Sequence, residues 1–576
     1  MSGRRPSAPS SGAVGDEPAG RPAAQRPASA AEPLVQALLD DLVADDPVLA
    51  SGLGLTAGAD RLPSWSADAV ARRLRMVEGH AGRLAPLVAS PDPVTAVDAF
   101  VGLQITRRLR RALALREVHR TQPGAYLDVL FGVFPLLLRE LGTPRERVEA
   151  LAGRLNAAPR LLQEARDNLA AALPRVALEV AVDQAEALLE LVGTTVRDFA
   201  SEAGCEGALD GPSHAACAAV AAFRDHLRDD LLPGATPQGG AGRDVLADIL
   251  RWEHVLDERP EDLAAYGREV LAESQARMRD LARELGHADV ATAVAEIASR
   301  HPAAPDIVAA YGDAVRGARQ FVAERGIVSL PEGEELEVVA TPPYLRRLLP
   351  FAAYEPPGLY DARQLGYYYV TPPRDGLAPA ELEEALRNHP FASMSTTGVH
   401  EAYPGHHLQI VSANHAPTLA RRIAYLPVGG DILVEGWAFY CEELMEREGF
   451  LADPAVRLMR LNDQAWRACR VVIDVEFHLG IMDLAAAADL LEEAAHMNRY
   501  EAELECRRYA VEPGQAMSYL LGRREVQRLA DAYLASGDAS LREFHDALLA
   551  WGSVAPAVIA WGMGLAPAPP AAAALR

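Results

Sequence analysis

The chain has 576 residues, 49% hydrophobic and 24% charged, the balance of a globular protein with a sizeable core and a length that fits two to four ordinary domains. Its net charge of −24 argues against nucleic acid and against an anionic membrane surface, both of which call for a basic face. All 56 basic residues are arginine, and the absence of lysine excludes Schiff-base chemistry and the phosphate-cradling lysine of P-loops.

The first residues, Met1-Ser2-Gly3-Arg4-Arg5, lead into Ser, Ala, Pro and Gly up to about residue 31, with no apolar stretch behind the twin arginine. This segment reads as a disordered tail, not a signal peptide. The five cysteines, Cys205, Cys217, Cys441, Cys469 and Cys506, contain no C-x-x-C pair and do not form a disulfide framework. Together these features predict a cytoplasmic protein. No apolar run reaches the length of a membrane-spanning helix.

Apolar periodicity begins at Leu34, Val35 and Leu38 and keeps the three-to-four spacing of amphipathic helices to about residue 325. Examples are 94–118, 161–173, 177–199 and 260–285. Residues 32–330 are therefore expected to form an N-terminal helical lobe. Between about 335 and 395 the composition changes. Residues 336–340 and 366–370 read as short strands, each followed by proline, and five of the 41 prolines lie between Pro342 and Pro357. The acidic run 332–337 reads as a solvated face. Helices resume near Gly398, so residues 331–565 are expected to form a second helical lobe, with 566–576 a loose tail. The fold class is mainly α with a small β element near residues 336–370.

The chemistry concentrates at 400–409, H-E-A-Y-P-G-H-H-L-Q. In H-E-x-x-H, two histidines one helical turn apart meet one zinc and the glutamate polarises its water. Here Pro404 breaks that spacing. On a straight helix His406 lies roughly 9 Å beyond His400 and about 120° round the axis, while His407 shares the face but lies roughly 10 Å away. Neither arrangement suits zinc, whose nitrogen ligands sit at about 2.0–2.1 Å. Pro404-Gly405 is, however, a sequence that breaks or bulges a helix, and a two-residue bulge there would bring His406 to the place of the second ligand. The third ligand should be an acid on a following helix. Glu435 opens an apolar, aromatic stretch where an unpaired carboxylate would be costly. His400, His406 and Glu435 thus make a two-His, one-Glu zinc site, one ion per chain, with Glu401 as general base. Glu442, two turns beyond Glu435, and His407 are placed in the surrounding shell.

These residues resemble a known family. H-E-A-Y-P-G-H-H-L-Q (400–409) with E-G-W-A-F-Y-C-E (435–442) is similar to the bacterial domain-of-unknown-function 885 family, which is grouped with the gluzincin-type zinc metallopeptidases. Asp474-x-x-x-His478, Glu505-x-x-Arg508-Tyr509, Pro513-Gly514-Gln515-Ala516, Tyr519-x-x-Gly522, Phe544-His545-Asp546 with Leu549, and Leu53-Gly54 extend the likeness over nearly the whole folded chain. Glu476 departs from the family's glycine, and the missing export signal departs from relatives that look secreted or lipid-anchored. The resemblance implies two helical lobes around a deep cleft and a hydrolase of peptide or small-molecule amide substrates.

In such a hydrolase, Tyr509 and Tyr519 are candidates for donating to the oxyanion, with His478 behind them. Arg508 is a candidate for a substrate carboxylate, although in a chain with 56 arginines a structural salt bridge to Glu505 is the stronger expectation, and Gln515 is a candidate for the cleft wall. The strand carrying Tyr368 is a candidate for pairing with an extended peptide. Two rivals stand beside this reading: a lyase-type reaction at the same metal site, and a non-catalytic helical binding protein.

Overall fold

The computed structural model describes residues 29–575 apart from 238, 343–345, 347–351, 375, 428 and 536. The expected tail up to residue 28, and much of the proline-rich stretch after Pro342, lie outside the described residues. The tail does not extend to Ala31: Ala30 N–H donates to Thr95 Oγ1 at 3.0 Å and Ala31 is fully buried.

The chain is mainly helical, with one small sheet. Helix α1 (Glu32–Asp45) and α2 (Pro93–Arg110) open it, α2 capped by Asp92, whose carboxylate accepts the Thr95 N–H. The expected helix 94–118 departs from α-geometry at residue 111, where five residues form a π turn. Helix α3 (Pro144–Asn168) begins well before the expected 161. Thr143 and Glu146 form a capping box at its start, and the helix continues through Pro159, because burial of Val148, Leu151, Leu155 and Leu161 outweighs one lost backbone bond. Helices α4 (Arg175–Glu190) and α5 (Asp210–Asp225) pack on one another. Helix α6 (Pro260–Glu284) matches its expected span, and α7 (Ile307–Arg325) ends at Gly326 in the left-handed conformation.

The apolar side chains gather into two large clusters. One holds Leu127, Leu151 and Leu161, with Leu188 of α4 and Phe223 of α5. The other joins Val35 and Leu38 of α1 and Phe100 of α2 to Leu263 of α6 and to residues as far along the chain as Ala572. The hydrophobic packing therefore does not divide at residue 330. Nor is the C-terminus loose as expected: a short helix at Pro570–Ala573 buries Ala571 and Ala572 against the second cluster.

The sheet has three strands, β1 (Glu334–Ala340), β2 (Ala352–Glu355) and β3 (Gln364–Val370), in the order β1-β3-β2. The strands β1 and β3 run parallel, and β2 pairs antiparallel to β3. The strand β2 carries no alternating pattern that would announce it, since all four of its residues are half-buried. The central place of β3 corrects one expectation. Over Tyr367–Val370 both its backbone edges are used by neighbours, so that stretch has none left for an extended peptide, and Tyr368 on it is fully buried.

Downstream lie the helices that carry the chemistry: α8 (Phe391–Glu401), α9 (His406–Asn414), α10 (Asp431–Arg447), α11 (Pro454–His478), α12 (Arg499–Val511) and α13 (Ser518–Ala535). Helix α11 packs along α6, and α10 along α13. No described helix is long and apolar enough to cross a membrane.

Candidate metal centre

The H-E-A-Y-P-G-H segment is broken completely, not bulged. Helix α8 ends at Glu401, residues 402–405 form a turn with a cis Tyr403–Pro404 bond, and α9 starts at His406. Proline at 404 cannot continue the ladder of α8, and Gly405 N–H turns back to the Val399 carbonyl at 3.0 Å. Trp437 of α10 holds the turn from outside, its indole N–H donating to the Pro404 carbonyl at 2.7 Å.

This turn folds the two histidines onto one another. The rings of His400 and His406 meet edge to face with centroids 4.7 Å apart. Glu435, one turn into α10, reaches both: its Oε2 lies 3.5 Å from His400 Nε2 and 3.4 Å from His406 Nε2. A tetrahedral ion with bonds of about 2.0–2.1 Å requires ligand-to-ligand edges of about 3.3–3.4 Å. The two edges from Glu435 are close to that spacing, and the ligand atoms of His400, His406 and Glu435 all lie within 4.8 Å of one another, the metal-type cluster found among the described residues. Their side chains keep 9%, 11% and 16% of their surface exposed. Glu435 Oε2 is buried with no hydrogen-bond partner, a costly state for a carboxylate oxygen and the one expected of an atom built to face a cation.

The electrostatics favour positive charge at this point. Burial works against a charged His400, but the carboxylates of Glu435, Glu442 and Glu401 outweigh it and push the imidazolium up to about 10. Burial raises Glu435 in turn, yet His406 and His400 hold it well below the usual carboxylate range. His400 Nδ1 is bonded to Glu442 Oε1 at 2.8 Å, which fixes the ring so that Nε2 points at the cluster. Glu401, the last residue of α8, is half-buried and has no hydrogen bond or ion pair among the described residues.

The remaining predicted residues separate clearly. Tyr519, at the start of α13, lies beside the cluster, its ring nearly parallel to that of His400 at 6.3 Å and 13°. Burial, the nearby Glu435 carboxylate adding to it, pushes its phenol up to about 12. Tyr509 is committed elsewhere: its hydroxyl donates to Glu505 Oε2 at 2.5 Å and accepts from Trp466 Nε1 and Arg470 Nε at 3.0 and 2.8 Å. Arg508 pairs with the same Glu505 oxygen at 2.8 Å and with Gln515 Oε1 at 3.1 Å, so these two residues satisfy each other. His478 is no catalyst behind the tyrosines. Its Nδ1 accepts Ala241 N–H at 3.0 Å and its Nε2 donates to the Tyr509 carbonyl at 3.1 Å, leaving no ring nitrogen for a proton in transit. Asp474 instead accepts the Gly514 and Met517 N–H groups, shaping the turn before Tyr519. Glu476, where the resembling family carries glycine, makes a two-pronged pair with Arg268.

His407 points away from the ligand cluster. Its Nε2 donates to Glu334 Oε2 at 3.0 Å and its Nδ1 accepts from the Tyr354 hydroxyl at 3.0 Å. Glu334 belongs to the acidic run expected to be solvated, but it is 8% exposed and fully hydrogen-bonded. Sequence reasoning missed Glu334, Tyr354 and Tyr403 because no local pattern distinguishes a buried acid at a strand start from its exposed neighbours.

A family model for bacterial proteins of unknown function, DUF885, matches residues 47–563. The chain belongs to the DUF885 family. No curated protein matches it. Two solved structures share the fold. A protein described as a lipoprotein of unknown function from Shewanella oneidensis is 21% identical, with a TM-score of 0.73 over 91% of this chain and 98% of its own. A second, described as a lipoprotein from Colwellia psychrerythraea, is 18% identical, with a TM-score of 0.77 over 93% of this chain and 99% of its own. These relatives overturn the expectation of a cytoplasmic protein. That expectation rested on a missing export signal and on the cysteine pattern, whereas both solved structures of the same fold are described as lipoproteins.

Proposed function

We propose that this DUF885 protein is a zinc-dependent hydrolase of peptide or amide bonds. His400, His406 and Glu435 hold the ion and Glu401 serves as general base. The observation that carries the reading is the triad itself: three ligand atoms within 4.8 Å of one another, one a buried carboxylate oxygen with no hydrogen bond, beside a glutamate with no hydrogen bond or ion pair among the described residues. The donor set of two imidazoles and one carboxylate is that of catalytic zinc, which keeps a fourth position open.

Bound there, zinc polarises a carbonyl and acidifies water. The chain's own residues do the rest. The Glu401 carboxylate takes the proton of the attacking water and returns it to the leaving nitrogen as the carbon–nitrogen bond breaks. Tyr519 keeps its proton at neutral pH and donates to the carbonyl oxygen as negative charge develops on it. Glu442 holds the His400 ring in place. A gluzincin-like cleft over the triad is part of the same proposal, supported by the partial exposure of Glu401, Val434, Glu435 and Tyr519 amid buried surroundings.

The test is incubation of the zinc-loaded protein with libraries of peptides and N-acyl amino acids, read by mass spectrometry. The proposal expects cleavage that falls by roughly 10²–10⁴ in Glu401→Gln. Intact libraries, or equal cleavage by the variant, would overturn it.

A further inference from the structure

The three-stranded sheet lies apart from the helical scaffold in composition, and each of its strands supplies one element to a single point: the ring of His407. From β1, Glu334 Oε2 accepts His407 Nε2–H at 3.0 Å. From β2, the Tyr354 hydroxyl donates to His407 Nδ1 at 3.0 Å. From β3, Gly366 leaves the space for both, since a Cβ there would stand 2.8 Å from His407 Nδ1 and 2.9 Å from the Tyr354 hydroxyl oxygen.

The contacts close into a complete network. Glu334 Oε2 also accepts the hydroxyl of Tyr403, the residue before the cis proline of the ligand turn. Its other oxygen, Oε1, accepts Nε and Nη2 of Arg319 from α7, at 3.0 and 2.7 Å. His407 is fully buried and Tyr403 is 2% exposed. A hydrogen-bonded network whose central members are buried holds those members in place. Tyr403 and His407 bracket Pro404, Gly405 and the ligand His406.

We propose that the sheet is a clamp on the ligand turn, and that Glu334 and Tyr354 are positioning residues that set His406 for the metal through His407 and Tyr403. None of them touches the triad. The alternative role for the same network is general stabilisation of the fold, with no particular effect on metal binding. This inference rests on the metal site proposed above.

The experiment uses the full chain with two mild variants, Tyr354→Phe, which removes one hydroxyl, and Glu334→Gln, which keeps the shape and removes the charge. Zinc affinity is measured by competition with a chromophoric chelator. Amide hydrogen exchange across residues 402–408 is measured on the metal-free protein, alongside thermal melting. The clamp predicts a zinc dissociation constant raised about 10- to 100-fold, the range for groups that orient ligands. It also predicts faster exchange at 402–408 in both variants, with exchange in α6 and α11 unchanged. Zinc affinity within twofold of wild type in both variants, while the wild type binds one zinc, overturns the clamp and leaves the metal site standing. A wild type that binds no zinc overturns the metal site and with it the role assigned to the clamp. Unchanged exchange at 402–408 contradicts the clamp whatever the metal result.

Discussion

Glu401 and Glu435 sit on neighbouring helices with opposite partnerships. Glu435 is held between two imidazoles, whereas Glu401 has no hydrogen bond or ion pair among the described residues, the difference the proposed roles of ligand and base call for. Tyr519 and Tyr509 divide in the same way. Tyr519→Phe is expected to lower kcat by about 10²-fold with zinc content unchanged, the scale for one oxyanion donor. Tyr509→Phe is expected to act on stability, because its hydroxyl ties Glu505, Arg470 and Trp466 together. Steady-state kinetics beside melting curves separates the two, and equal loss of kcat in both variants would contradict the division. Glu505 gives a pH signature. Burial raises its pKa, but Arg470 and Arg508 outweigh burial and hold it at about 2, below the ordinary 4.5. A depressed carboxylate contributes stability in full above its unfolded pKa and loses it as pH falls toward the folded value. The stability difference between wild type and Glu505→Gln should therefore shrink between about pH 5 and pH 2.5 in denaturant titrations. A difference that stays constant across that window would contradict the pairing.

At the scale of elements, the ligand set depends on where helices stop and how closely they approach. Helix α10 carries Glu435 and Glu442, and it packs along α13, which carries Tyr519. At the crossing Gly436 faces Gly522, and a Cβ on Gly522 would collide with the Ile432 carbonyl oxygen. Gly522→Ala should cost about 1–3 kcal/mol by overpacking and displace Tyr519 relative to His400. Denaturation beside kcat checks this, and a variant as stable and active as wild type would show that the crossing tolerates bulk. Much at this scale was legible in the sequence. Pro404-Gly405 announced an interruption of the helix, though as a bulge and not the complete break, and an acid inside an aromatic helix announced a member of the metal-type cluster. The rest depended on tertiary contacts that leave no periodic trace. The strand β2 is too short and too evenly half-buried to alternate, Pro159 concealed the first half of α3, and Tyr509 is tied to Trp466 and Arg470 far along the chain and His478 to backbone atoms, whereas the Arg508 pair with Glu505, three residues away, was legible.

The whole molecule is knit by a core that ignores the expected boundary at 330. Val35, Leu38 and Phe100 share one cluster with Trp437, Val471 and Leu520. A fragment of residues 331–565 is thus expected to lack cooperative unfolding and to aggregate, as circular dichroism and size-exclusion chromatography would show; a monomeric, cooperatively melting fragment would contradict this. The mainly helical class and the small β element were readable from composition and period. The docked C-terminal helix was not, because alanine and proline alone do not reveal a buried contact. The most direct measurement of the central claim is elemental mass spectrometry of the purified full chain beside Glu435→Ala, both supplied with zinc. The account predicts about one zinc per chain in the wild type and near none in the variant. Equal zinc content in the two proteins, or none in either, would contradict it.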